Sequence, residues 1–275
     1  MPDIDFYRKF LLEWEGWNQG HRKDSYWDAV VPLVEYYKNL DSHEQRKFRE
    51  AYASALEELW PRYKTSLGFA EVVDCPEAGP TIGRMLAKSV RQLLSNPEDQ
   101  WVRADCLYLV TAAGRTRSEA AVPALRLLIE NAAQLLNEDL YSDAVLALTR
   151  VDYRLVLPYL RGYVAWLTPP SQAPTGTAET LPKYSEFGQM DLTRIIAECI
   201  RQGGPSAVGE LAAALGPLDA EGRKAVLAAL RRANLWPYKG SGSPDDTRYR
   251  MSTAGRCALR SWTNDLEDGG VPANA

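Results

Sequence analysis

Few residue types in this chain are arranged as chemistry usually requires. The four cysteines, Cys75, Cys106, Cys199 and Cys257, contain no Cys-x-x-Cys pair, and the two histidines are His21 and His43. No zinc site of Cys and His is therefore expected, and Cys106 and Cys199, set among apolar residues at helical spacing, read as small core hydrophobes. Asp24 and Asp28 stand four apart near His21, but an acid-rich first turn of a helix explains them without a metal. Trp101 and Asp105 are also four apart, close enough to share a helix face. Arg84, Lys88 and Arg91 precede them, and Arg115, Arg117, Arg150 and Arg154 follow, a set of cations that could touch phosphates. The segment is nearly neutral all the same, with 10 Lys/Arg against 9 Asp/Glu over residues 81–165, where a nucleic-acid surface is usually basic. Gly240-Ser241-Gly242 opens toward Pro244 and not into a helix after a strand, so it is no phosphate loop. Neither a nucleophile elbow nor a His-Glu-x-x-His motif occurs. No catalytic residue, metal or cofactor is assigned.

Binding is better provided for than catalysis. The chain has 8 tryptophans and 14 tyrosines, residue types that dominate interface hot spots. Most recur at helical spacing and belong to a core, but Trp17, between Gly16 and Gly20, and Trp236, beside Pro237, follow no apolar stripe. Residues 1–80 hold 10 Lys/Arg against 15 Asp/Glu, whereas residues 187–262 hold 11 against 7. On this reading Glu13, Trp14, Glu15 and Trp17 in the acidic first third, together with Trp236, are the partner-binding residues, and they would dock a basic protein surface.

The elements that must position these residues are helices. Apolar residues recur every three to four positions along almost the whole chain. Residues 1–23 hold a capping helix (Phe6, Phe10, Leu11, Trp14). Residues 24–63 form a first hairpin, whose second helix starts at the capping-box pair Ser42 and Gln45. Residues 64–80 lose the period and read as a loop with a short extended piece near Phe69 to Val73. Residues 81–167 resume with paired helices, among them a hairpin over 118–151 that Ser118 would cap and that neither helix can stabilise alone. Gly114 is the expected left-handed terminator of the helix before it. Residues 168–186, with Pro169, Pro170, Pro174 and Pro182, form an inserted loop. Further helical repeats fill 187–235, and 236–275 is a loop, a short helix and a polar tail.

The hairpins repeat. Arg103-Ala104-Asp105-Cys106-Leu107-Tyr108 aligns with Tyr141-Ser142-Asp143-Ala144-Val145-Leu146 at an offset of 38 residues, and Thr111 falls on Thr149. The first helices share a proline, in Val31-Pro32-Leu33, Val122-Pro123-Ala124 and Leu157-Pro158-Tyr159, which suggests a bend recurring in the outer helix. With these features the sequence resembles HEAT-like repeat proteins, best over residues 81–235. The resemblance implies an all-α fold, an α-solenoid of about four to five stacked antiparallel hairpins. It also implies an inter-repeat structural role for Asp105 and Asp143, although Thr111 and Thr149 stand where the family often has a basic residue. The implied function is a non-enzymatic scaffold or adaptor for another protein, such as a bacterial immunity-type inhibitor. Some HEAT-like proteins are alkylpurine DNA glycosylases that use a tryptophan and an aspartate beside a basic groove; Trp101, Asp105, Arg115, Arg117, Arg150 and Arg154 would be that site here. No apolar run is long enough for a membrane span, and the acidic start (Met1-Pro2-Asp3-Ile4-Asp5) does not read as a secretory signal, so a cytoplasmic location is expected.

Overall fold

A computed structural model describes residues 2–17, 27–135, 138–168, 186–235 and 251–267, and among them every regular element is helical. The chain divides into two compact units, Met1–Asn131 and Ala132–Ala275. The first holds α1 (Ile4–Leu12), α2 (Trp27–Lys38), α3 (Ser42–Leu59), α4 (Gly68–Val72), α5 (Gly79–Ser95), α6 (Gln100–Arg115) and α7 (Val122–Glu130). The second holds α8 (Ala132–Leu135), α9 (Glu138–Val151), α10 (Leu157–Leu167), α11 (Glu186–Gly203), α12 (Ser206–Leu215), α13 (Ala220–Leu235) and α14 (Thr253–Glu267). The two helices of the 118–151 pair thus fall one in each unit. Trp236 and most of the 168–186 insertion lie outside the described residues.

In the first unit, helices two apart in sequence are neighbours in space. α1 packs on α3, α3 on α5 and α5 on α7, while α2 packs on α4 and α4 on α6; α5 and α6 then pair across the two rows. The starts of these helices are set locally. The carboxylate of Asp3 accepts the Phe6 N–H (2.8 Å), and Asp99 accepts those of Trp101 and Val102 (3.0 and 3.1 Å), satisfying donors that a first turn leaves open. Asp41, one residue before the expected cap, accepts from His43 and Glu44 (2.9 and 2.8 Å). Gln45 instead turns back to the carbonyls of Tyr37 and Leu40 (3.3 and 3.0 Å), closing the end of α2.

The centre of this unit is Phe48, fully buried, with the rings of Tyr7, Phe69 and Tyr37 at 5.4, 5.5 and 5.8 Å from its own. Phe69 corrects the sequence reading of 64–80. That stretch is not a loop with an extended piece but a 3-10 turn (Lys64–Leu67), α4 and a second 3-10 turn (Pro76–Ala78). The helices are too short to show a period, and Leu67, Phe69 and Ala70 are buried consecutively rather than on one stripe.

The prolines also act otherwise than expected. Pro32 does lie inside α2, but Pro123 and Pro158 occupy the first turns of α7 and α10, each following a 3-10 turn (Glu119–Ala121 and Tyr153–Leu155), and Pro80 begins α5 in the same way after Pro76–Ala78. A first-turn proline lacks an N–H that would be unpaired there, so it starts a helix without bending it. Ser118 does not cap; its hydroxyl donates to the Gly79 carbonyl (2.5 Å) and ties the turn before α7 to the start of α5. Gly114 stays within α6, and the left-handed residue is Arg117 (φ 50°), after which the Ser118 N–H closes on the Ala113 carbonyl (2.9 Å).

In the second unit α9 packs on α11, α11 on α13 and α13 on α14, while α10 packs on α12. Gln202 of α11 fastens the end of α9: its amide donates to the Thr149 carbonyl (2.8 Å), and its oxygen accepts the Tyr153 N–H (3.0 Å). Comparing α6 with α9 at the 38-residue offset separates two sets of positions. Cys106 and Ala144, Leu109 and Ala147, and Val110 and Leu148 are all buried. Tyr108, by contrast, is 42% exposed where Leu146 is 4% exposed, and Leu107 is half-buried where Val145 is covered. The inward residues match and the outward ones have diverged.

Candidate functional site

A groove of about 530 Å³ opens in the first unit among the end of α3, the 3-10 turn at Lys64, α5 and Asp105 of α6. Its back wall forms where α3 stops. Trp60 is the C-terminal cap of that helix, 6% exposed, and Pro61 prevents another turn. Lys64 returns over the indole, its ammonium 4.0 Å from the ring centre, close enough for a cation–π contact. The same ammonium binds both oxygens of Asp105, at 2.7 and 2.8 Å. On the outer side of this wall Tyr108 meets Trp60 edge-on, with ring centres 6.2 Å apart.

α5 supplies the facing side. Ile82, Leu86, Val90 and Leu93 are buried, which leaves Arg84, Lys88 and Arg91 exposed on the opposite face and lining the groove with Met85 and Gln92. Arg84 pairs with Glu57 at 2.9 Å. Lys88 and Arg91 make no ion pair with another described residue. Trp101, one turn before Asp105 on α6, is 85% exposed. The arrangement can hold an anion, with an aromatic wall behind it and a second aromatic on the same helix face as Asp105.

The structure gives the residues that the sequence grouped different settings. Trp17 is fully buried and its indole N–H donates to the Leu11 carbonyl (2.8 Å), so it is a core residue with no surface for a partner. A 3-10 turn at residues 15–17 folds it inward, which the flanking glycines concealed. Trp14 is half-buried beside Phe10 (5.3 Å between rings); Glu13 and Glu15 are exposed. Arg115 and Arg117 lie in the first unit and Arg150 and Arg154 in the second, where Arg154 pairs with Glu210 (3.5 Å). Asp105 and Asp143 hold equivalent sequence positions yet meet different partners, Lys64 for the first and the neighbourhood of Asp191 for the second. Trp60 and Lys64 escaped the sequence reading; the four-residue spacing across Pro61 was the available signal. Cys75, Cys106 and Cys199 are buried, and burial pushes the first two thiols up to about 12 and the third higher still, which disfavours the nucleophilic thiolate. No cluster of metal-ligating side chains occurs among the described residues, and no described helix is long and apolar enough to cross a membrane.

Fold and groove together define an all-α protein of two helical units, one of which carries a cationic, tryptophan-backed groove. Comparison with family models, with curated proteins and with solved structures finds no match.

Proposed function

We propose that the chain is a non-enzymatic protein-interaction module of HEAT-like architecture, which docks a partner protein on the α5–α6 face of its first unit. The architecture is supported by the alternate-helix packing within each unit, by the matching buried positions of α6 and α9 and by the recurrent proline starts. The observation that carries the docking reading is Trp101. A tryptophan left 85% exposed forgoes the burial that normally stabilises it, and the residue type is the one most enriched at binding hot spots. Of the acidic-end residues, Trp17 drops out of this reading because it is internal.

A DNA-glycosylase reading is favoured by one observation, the shared face of Trp101 and Asp105. It is opposed by another: Lys64 already neutralises the Asp105 carboxylate at 2.7 Å. Trp101→Ala tests the first reading. Affinity capture of the tagged full-length chain from its source cells is expected to lose its specific partner in this variant, with unchanged circular dichroism and thermal midpoint. Capture that is indifferent to Trp101, or release of a methylated purine from duplex DNA by the purified chain, would overturn it.

A further inference from the structure

The charges in the groove are not balanced, and the imbalance indicates what would fill it. Of the two carboxylates lining it, Glu57 is answered by Arg84 and Asp105 by Lys64. Lys88 and Arg91 remain as exposed cations three residues apart on α5, and Arg84 stands one turn before Lys88 on the same face. Together they make a strip about 10 Å long. Trp60, Pro61 and Met85 give the groove an apolar wall next to this strip, while the cations themselves stay exposed, so their attraction for an anion is short-range and screened by salt. Asp105 itself shows which anion suits the place. A carboxylate from the protein's own helix already sits on Lys64, with both oxygens within 2.8 Å of the ammonium.

We infer that this groove takes an acidic peptide segment of the partner, whose carboxylates pair with Lys88 and Arg91 and compete with Asp105 for Lys64, while an apolar side chain rests on Pro61 and Met85. The inference rests on the docking reading above and narrows it to a ligand class. A peptide fits better than a nucleic-acid backbone because Lys88 and Arg91, which have no ion-pair partner among the described residues, stand at helical spacing and match two carboxylates of an acidic segment. A run of phosphates would instead extend beyond this short strip and meet Glu57 and Asp105 along the same surface. The volume of about 530 Å³ falls within the roughly 300–1,000 Å³ of ligand clefts, room for several side chains of a short peptide.

The test uses the full chain and a short fluorescein-labelled peptide of Glu, Asp and Leu, compared with the same peptide carrying Gln and Asn instead of the acids, and with single-stranded and duplex DNA. Saturable binding of the acidic peptide is expected, weakening as salt is raised. It should weaken roughly tenfold or more in the K88E/R91E double variant, and tighten about threefold in Asp105→Asn, which removes the internal competitor. The K88Q/R91Q variant, which only neutralises, should fall between wild type and the reversal. The inference is overturned by failure of the acidic peptide to bind, by equal binding of the Gln/Asn peptide, by tighter binding of either DNA, or by indifference to K88E/R91E. If partner capture still requires Trp101 while the acidic peptide fails, the ligand class is wrong and the docking reading stands. Loss of the Trp101 dependence removes the docking reading itself.

Discussion

Asp143 is a carboxylate whose environment alters its chemistry. It is held away from water near a second carboxylate, Asp191, with Asp139 also contributing, and burial first and these charges second raise its pKa from the ordinary 3.8 to about 6, against the opposing pull of Arg150 and Arg194. Asp191 is raised as well, mainly by burial. Beside them the Ser142 hydroxyl and the Tyr163 phenol are hydrogen-bonded at 2.5 Å. Because the folded state holds the Asp143 proton more tightly than the unfolded chain does, this group stabilises the fold below about pH 4, and the contribution is lost as pH rises toward 6. The difference is on the order of 2–3 kcal/mol. Asp143→Asn keeps the neutral shape at every pH. Urea unfolding should therefore show the variant more stable than wild type by about 2 kcal/mol at pH 7.5 and equal to it near pH 3.5; equal stability at pH 7.5 would refute the assignment. At this scale the sequence was a partial guide. Asp105, Arg84, Lys88 and Arg91 were readable as helix-face residues because their spacing is local, whereas the pairs Asp105–Lys64 and Asp143–Asp191 join positions that no local pattern relates. The lack of a stripe at Trp17 does not signal exposure, because a single turn suffices to bury an aromatic ring.

Helices were legible wherever they ran long enough to show a period, as for α5, α6, α12 and α13, and illegible where burial is consecutive, as in Leu67–Ala70. How closely they pack is a separate matter, decided at individual glycines. A Cβ on Gly83 of α5 would lie 2.7 Å from the backbone carbon of Ala120, so the 3-10 turn before α7 approaches α5 only because that side chain is absent. Gly162 of α10 faces open space, with nothing within 4 Å. Alanine ordinarily stabilises a helix relative to glycine by roughly 0.5–1 kcal/mol, and Gly162→Ala should show that gain. Gly83→Ala should have the opposite sign, a loss of about 1–3 kcal/mol, because the turn must move as a unit. Thermal unfolding of the two variants side by side checks both, and a stabilising Gly83→Ala would mean that α5 and this turn are not in contact as described.

At the scale of the whole molecule, the groove and its wall belong entirely to one unit. Glu57, Trp60, Lys64, Arg84, Lys88, Arg91 and Asp105 all lie within Met1–Asn131, and so does the aromatic cluster around Phe48 that holds α3 in place. The full chain carries a net charge of −4, so long-range attraction does not favour an acidic ligand, and affinity must come from the short-range cations and the apolar wall. Two consequences follow from that placement. A fragment comprising residues 1–131 should fold with a helical circular dichroism spectrum and a cooperative thermal transition, since a core of this size is ample for a domain. It should also bind the acidic peptide within about threefold of the affinity of the full chain, because every described residue that lines the groove belongs to the first unit. A fragment that folds cooperatively yet binds more than about tenfold more weakly would show that residues 132–275 contribute to recognition. One that fails to fold would show that the first unit's buried aromatics are insufficient without the rest of the chain.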